Sequence, residues 1–364
     1  MDDPIRAEDV TSEWLTATLQ AHGCLGEGTV RAFTITELAE TTSVLGDLVR
    51  FELELEGAPP EAPRSVIAKF AVVAEENRAL AMILGHYRRE VGFYRELAGE
   101  ASLPVPACYH ARFDPETHDF VLLLEDLADL ELGDQLLGCS RDDAVRSATC
   151  VARMHARWWE DERLDTIEWL PSLDDEVHGV GVPPAFDAGW ANARDYLGVA
   201  LTSSVVELGD RFSAAIPELL RRLSEPPRTL VHGDFRLDNL FFGPGPTRDL
   251  RVVDMQLVMS ARGPYDIAYL CSQSLPIDER REYEEDLVRG YWGALTEAGV
   301  EGYGLDQCWE DYRLATLFCF VYPVVLMGGL DLGNPRSHEL ERTIFERSTT
   351  AITELDAMEL LPEP

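Results

Sequence analysis

The sequence predicts an α+β protein in two lobes: an N-lobe over residues 1–126, built on an antiparallel sheet plus helix, and a larger, mainly helical C-lobe over 127–364. Three observations predict it. Length is the first, because 364 residues are too many for one ordinary core and suit two. The second is a set of short alternating or apolar runs between about 30 and 72 and again after 106. The third is the change beyond Asp126, where apolar residues recur mostly at helical spacing.

In chain order, residues 9–22 read as a helix carrying Trp14, Leu15 and Leu19 after an acidic start. RAFTITEL, LVRFELELEG and SVIAKFAVV read as strands, with TTSVLGD (41–47) turning between the first two and PPEAP (59–63) looping between the last two. A single helix is predicted over about 76–99, ending near Gly99. LPVP (103–106) breaks the chain before two further strands, PACYHARF and DFVLLLEDL. GDQLLGCSRDDAVRSATCVARMHARWWEDE then reads as a loop followed by a long amphipathic helix. Pro183 and Pro184, next to DDEVHGVGV, mark a long loop of the C-lobe. Short apolar strands are expected near NLFF (239–242) and LRVVDM (250–255), joined by GPGPTRD. The longest uncharged run, 17 residues after Arg313, is interrupted by Pro323 and two glycines, and reads as a buried helix and not a membrane span.

Composition narrows the function. With 46% hydrophobic and 27% charged residues the chain is an ordinary globular protein. Thirty-one Lys+Arg against 66 Asp+Glu give a net charge of −35, a field that repels nucleic acid and anionic membrane. No nucleic-acid partner is expected, and no protein partner is evident. Seven cysteines, odd in number and without a CxxC pair, suggest reduced thiols in a cytoplasmic protein. The acidic start MDDPIRAEDV is not a signal peptide.

The strongest chemical signal is TLVHGDFRLDNLFF, in which His232, Asp234 and Asn239 stand as H-x-D-x-x-x-x-N, with Asp254 of VVDMQ 15 residues further on. Phosphoryl transfer asks mainly for positioning and charge neutralisation. One carboxylate must take the acceptor hydroxyl's proton, and hard oxygen ligands must hold Mg²⁺ against the phosphates. In this pattern Asp234 is the base, and Asn239 and Asp254 hold the metal. A lone HGD would be weak; the full spacing with an apolar strand after each half is not.

Lys69, the only lysine in the chain, fits the same chemistry. It lies on the predicted strand VIAKF, where a kinase places the lysine that contacts the α- and β-phosphates of ATP. Glu90 and Glu96 follow on a predicted helix. Glu90 is the expected partner of Lys69, and Glu96 reads as part of a solvated face. FVLLLEDL runs into the lobe junction, where the C=O of Glu125 and the N–H of Leu127 are expected to read adenine. The amides from Ser43 to Gly46 are candidates to cover the phosphates. Arg236 stands where it could neutralise the transferring phosphoryl group, with a solvated charge as the equal alternative. Asp266 of GPYDIAYL reads as an anchor for the catalytic loop, and His155 as a satisfied core histidine.

VIAKF, REVGFYREL, FVLLLEDL, GDQLLGCS, the MHARWW helix, LVHGDFRLDN, VVDMQ and RGPYDIAYL together resemble the aminoglycoside phosphotransferase and choline kinase superfamily, and within it the ecdysteroid kinase-like branch. The resemblance spans most of the chain. It implies a bilobal, protein-kinase-like fold, ATP as donor, magnesium as cofactor and a small-molecule hydroxyl acceptor. The family's roles fall on Lys69, Glu90, Asp234, Asn239 and Asp254. There are departures. D-M-Q at 254–256 replaces D-F-G, no A-P-E follows, and TTSVLGD has one glycine in place of G-x-G-x-x-G. The first argues against a flipping activation segment, the second against a peptide substrate. Two rival classes stay open: an inactive nucleotide-binding pseudokinase, and an acidic binding protein for a cationic partner. Competent residues at all five positions favour the enzyme. For the acceptor, the resemblance and the aromatics Trp158, Trp159, Phe318, Phe320 and Tyr322 tilt toward a largely apolar alcohol, unless those rings only fill the core. The alternative is an aminoglycoside or another cationic antibiotic.

Overall fold

The structure is a computed structural model that describes residues 3–38, 46–198, 201–245, 249–328 and 335–363. The chain gathers into two compact units, one of Met1–Glu100, Pro104–Glu131 and Gly243–Leu257, the other of Ala101–Leu103, Leu132–Phe242 and Val258–Pro364.

The first unit is built on a five-stranded antiparallel sheet in the order β1-β2-β3-β5-β4. Its strands are β1 (Thr29–Glu37), β2 (Gly46–Glu56), β3 (Ser65–Ala71), β4 (Cys108–Phe113) and β5 (Phe120–Glu125). Strand β2 alternates, with Val49, Phe51 and Leu53 buried, whereas the interior strand β5 is buried almost throughout. Helix α1 (Ser12–His22) starts where the Thr11 hydroxyl accepts the Trp14 N–H at 3.1 Å, and ends at Gly23 with φ +90°. It buries Trp14, Leu15 and Leu19 in one core with Phe51, Val66, Phe70 and Leu123.

The single helix expected over 76–99 is two. Helix α2 (Glu75–Ile83) stops before Gly85, whose φ of +70° is left-handed, and α3 (His86–Gly92) restarts and runs on through a wide turn, Phe93–Leu97. Apolar periodicity passes through such a break unchanged, so only the glycine announces it. The restarted helix buries His86, Tyr87, Arg89, Glu90 and Val91.

The second unit is mainly helical: α4 (Arg141–Arg157), α5 (Glu176–Leu197), α6 (Ser203–Ser224), α7 (Pro264–Tyr269), α8 (Ile277–Glu297), α9 (Leu305–Phe318), α10 (Val321–Gly328) and α11 (Pro335–Glu354). Short strands punctuate the chain at β6 (Glu131–Leu132), β7 (Thr229–Val231), β8 (Leu240–Phe242), β9 (Leu250–Val252) and β10 (Met259–Ala261). Strands β7 and β10 pair antiparallel, Met259 opposite Val231, and so deliver the chain into the HGD loop.

The long loop expected around Pro183 and Pro184 is helix α5, with both prolines inside it. Interior prolines cost about 3 kcal/mol. Two features offset that. The Asp175 carboxylate caps the helix by accepting the His178 N–H at 2.8 Å. Downstream, Phe186, Trp190 and Ala193 are buried, and Gly189 lies so close to α10 that a Cβ would meet the Val324 carbonyl at 2.0 Å. The uncharged run is helical, in α9 and α10. By length and composition Leu305–Gly328 could cross a membrane, but 72% of its apolar window is buried in the protein.

Candidate functional site

In the first unit, Lys69 sits mid-strand on β3 between Leu48 of β2 and Leu122 of β5, only 6% exposed. Its Nζ is 2.7 Å from Glu90 Oε2 and 2.8 Å from Asp254 Oδ1. Glu90 comes from α3 and also takes the Met255 backbone N–H. Asp254 is held at φ +69°, a strained value for a non-glycine residue, and its Oδ2 accepts from Gln256 Nε2 at 3.1 Å. One ammonium thus serves two carboxylates. Burial alone would lower the Lys69 pKa, but Asp254 and Glu90 outweigh it and hold the ammonium above the usual lysine range. Burial pushes Glu90 up, from 4.5 to about 7, against the pull of Lys69 and with the help of Asp254's charge. Gly46 opens β2 beside this cluster, where a Cβ would meet Lys69 Cε at 3.0 Å. Ser43 lies outside the described residues.

The raised Glu90 pKa has a definite sign. A carboxyl that binds its proton more tightly folded than unfolded contributes stability below pH 4.5, and that contribution is lost as pH rises through about 7. We expect the nucleotide-free protein to lose a few degrees of Tm across this interval. Glu90→Gln should flatten the loss in a pH series of thermal melts, and an unchanged profile would show that Glu90 titrates normally.

Residues 125–127 are held by their own side chains. The Glu125 N–H donates to Ala107 O at 2.8 Å, and its carboxylate accepts from Ala107 N at 3.0 Å. Asp126 takes Arg50 Nε at 2.7 Å and Nη2 at 3.1 Å. Leu127 is buried. The backbone groups expected to read adenine therefore sit on a fixed segment.

In the second unit the loop after β7 is fixed by Asp266. This fully buried carboxylate accepts the N–H groups of His232 (2.8 Å) and Gly233 (2.9 Å), and lies 3.0 Å from His155 Nε2, whose Nδ1 is 2.8 Å from the Tyr291 hydroxyl. Asp266 and His155 thus occupy the structural positions expected of them. The loop presents Asp234, 6% exposed. Its Oδ2 accepts from Asn239 Nδ2 at 2.9 Å and from Arg236 Nε at 3.1 Å. The same Asn239 Nδ2 also donates to Asp234 O at 2.9 Å, which commits the amide nitrogen and leaves Oδ1 as the acceptor end. Arg236 reaches Gln135 Oε1 at 3.2 Å and Asp238 Oδ2 at 3.3 Å. Burial disfavours its charge, but Asp234's carboxylate more than restores it.

The structure joins Lys69, Glu90 and Asp254 in one unit, and Asp234, Arg236 and Asn239 in the other. Three neighbours lie inside the motifs but are not singled out by their sequence: Gln256 on Asp254, Gln135 on Arg236, and Tyr269. The last is buried and hydrogen-bonded to Asp234, its phenol pushed well above its usual pKa by burial and then by that charge. Of the five aromatics, Trp158, Phe318 and Phe320 are core residues at 0–2% exposure, while Trp159 and Tyr322 are half-buried. Trp158 packs under the guanidiniums of Arg157 and Arg163.

Among the described residues no three His, Cys, Asp or Glu side chains gather to hold a metal ion. Magnesium needs only one or two carboxylates plus substrate phosphates and no all-protein cage. Asn239 Oδ1 and the Asp254 carboxylate are hard oxygen donors of the fitting kind.

A sequence profile of the phosphotransferase enzyme family matches residues 84–303. No curated protein matches the chain. Among solved structures the chain is similar to amicoumacin kinase in complex with AMP-PNP, Ca²⁺ and Ami, at 13% identity over 96% of this chain and 100% of that one, TM-score 0.56. It is also similar to APH(2")-IIia in its GDP and kanamycin complex, at 13% identity over 96% and 99%, TM-score 0.54. At such identities the likeness is one of fold, and it bears out the expected class, an antiparallel sheet followed by a mainly helical remainder.

Proposed function

The chain belongs to the phosphotransferase enzyme family, and from that premise we propose that it is a kinase transferring the γ-phosphoryl group of ATP to a hydroxyl of a small molecule. The carrying observation is the buried Lys69, shared at 2.7 and 2.8 Å between Glu90 and Asp254. A structural ion pair needs one carboxylate; this one keeps a second, whose surplus negative charge calls for a cation.

Lys69 contacts the α- and β-phosphates, and Glu90 keeps its ammonium in place. Asn239 and Asp254 would hold Mg²⁺, which when bound neutralises phosphate charge. Asp234 accepts the proton of the acceptor hydroxyl as its oxygen bonds to the γ-phosphorus and the bond to the β,γ-bridging oxygen breaks, releasing ADP. Arg236, kept cationic beside Asp234, offsets charge on the moving phosphoryl group. Mg²⁺-dependent stabilisation by ATP in a thermal-shift assay tests the nucleotide half of this reading. A Tm indifferent to Mg-ATP would overturn it.

Lys69→Arg keeps the charge and should still lose about 10–100-fold in kcat/KM for ATP, the loss of one charged hydrogen bond. The planar fork cannot repeat a point contact to phosphate and Glu90 together, and the stem already runs tight against Gly46. As the only lysine, Lys69 should also be the one side chain labelled by an amine-reactive ATP analogue. Labelling confined to the α-amine would contradict the site.

For the acceptor we keep the largely apolar alcohol as first reading, on narrower ground. Three of its five aromatics are core, but the Tyr322 ring lies tilted against Tyr269, centroids 4.6 Å apart, and Tyr269 is next to Asp234. The net charge of −35 supports the second reading, a polycationic aminoglycoside. A panel of sterols, long-chain alcohols, choline and aminoglycosides, compared by kcat/KM, separates them. Turnover of aminoglycosides alone would sink the first.

A further inference from the structure

Arg347 on α11 is 6% exposed, and its guanidinium is spent on backbone. Nη1 donates to the carbonyls of Gln135 (2.5 Å), Gln273 (3.2 Å) and Ser274 (3.2 Å), and Nη2 to that of Leu136 (2.8 Å). None of these acceptors is a carboxylate. Burial accordingly pulls the Arg347 pKa down, with only partial relief from the charges of Glu279, Asp134 and Glu346. A buried cation held by neutral dipoles is a costly way to fill a core, and an apolar side chain would fill it more cheaply.

The two segments it clamps are those that hold the catalytic loop. Gln135 donates its N–H to Asp238 Oδ1 at 2.8 Å and offers its Oε1 to Arg236 Nη1 at 3.2 Å. Ser274 Oγ accepts the Leu237 N–H at 3.2 Å. Gly133, two residues before Gln135, lies so near that a Cβ would meet Leu237 O at 2.5 Å. Arg236, Leu237 and Asp238 are thus gripped from two backbones, and one arginine from the end of the chain ties those backbones together.

We propose that Arg347 is a positioning residue for phosphoryl transfer, fixing the Arg236 guanidinium through Gln135. This rests on the reading that Arg236 serves the moving phosphoryl group. The test is a double-mutant cycle between Arg347→Lys and Arg236→Ala, read as ADP release from Mg-ATP with water as acceptor. Lysine keeps the charge but cannot span four carbonyls. We expect Arg347→Lys to lower kcat about tenfold with KM for ATP within about twofold, and to cost less than about twofold once Arg236 is alanine. Gln135→Met, which removes only the acceptor to Arg236, should show the same coupling and serves if Arg347→Lys does not fold. An equal loss in both backgrounds would overturn the proposal and leave Arg236's role standing. No effect of Arg236→Ala itself would overturn that role, and the positioning with it.

Discussion

Asp234→Asn is expected to slow phosphoryl transfer by about 10²–10⁴-fold, the range for losing a positioned acid–base group, with Mg-ATP binding nearly unchanged. The substitution is close to isosteric. The amide oxygen can still accept from Asn239 Nδ2 and Arg236 Nε, which now stand 2.9 and 3.1 Å from Oδ2. The loop keeps its anchor as well, since Asp266 holds the N–H groups of His232 and Gly233. What goes is the capacity to take a proton. Melting temperature and ATP affinity should therefore stay close to wild type while kcat falls. Wild-type turnover would remove Asp234 from the role of base. A matched loss of ATP affinity would point to a binding role instead.

The other large effect is expected from Asp254→Ala, on the order of 10³-fold in kcat/KM at ordinary Mg²⁺, with partial recovery as Mg²⁺ is raised. Metal-borne charge stabilisation is worth several kcal/mol, and a hard cation shared with phosphate oxygens needs a carboxylate here. The fold should tolerate the change. Lys69 keeps Glu90 at 2.7 Å, and the cluster goes from one ammonium between two carboxylates to a plain pair. Glu90's pKa should fall with the loss of Asp254's charge, so thermal melts above neutral pH should not suffer. Undiminished activity at low Mg²⁺ would count decisively against Asp254 as a metal ligand.

The residues that the structure brings together were legible where chemistry fixes a spacing. A sole lysine on a strand, a glutamate 21 residues on, and H-x-D-x-x-x-x-N are patterns that survive any detail of packing. Strand positions were legible for a similar reason, because alternation in LVRFELELEG must match the two faces of a sheet. What could not be read depends on tertiary contact. Gly85 breaks a helix whose apolar period continues through it, and Pro183 and Pro184 are tolerated in α5 because of the packing of Gly189 and Trp190. That Gly243–Leu257 clusters with the sheet unit, bringing Asp254 to Lys69, is likewise invisible in the chain order. The aromatics Phe318 and Phe320 match a ligand-lining stock and a core equally well by composition; burial separates the two.

The most direct test of the central claim is a transfer assay with the acceptor left open. Wild-type protein and Mg-ATP are incubated with a library of small hydroxyl compounds, and each compound is followed by mass spectrometry for a phosphate adduct. The account predicts a phosphomonoester formed in step with ADP, and lost with Asp234→Asn. Tight Mg-ATP binding with no phosphorylated compound from any member of the library would contradict it.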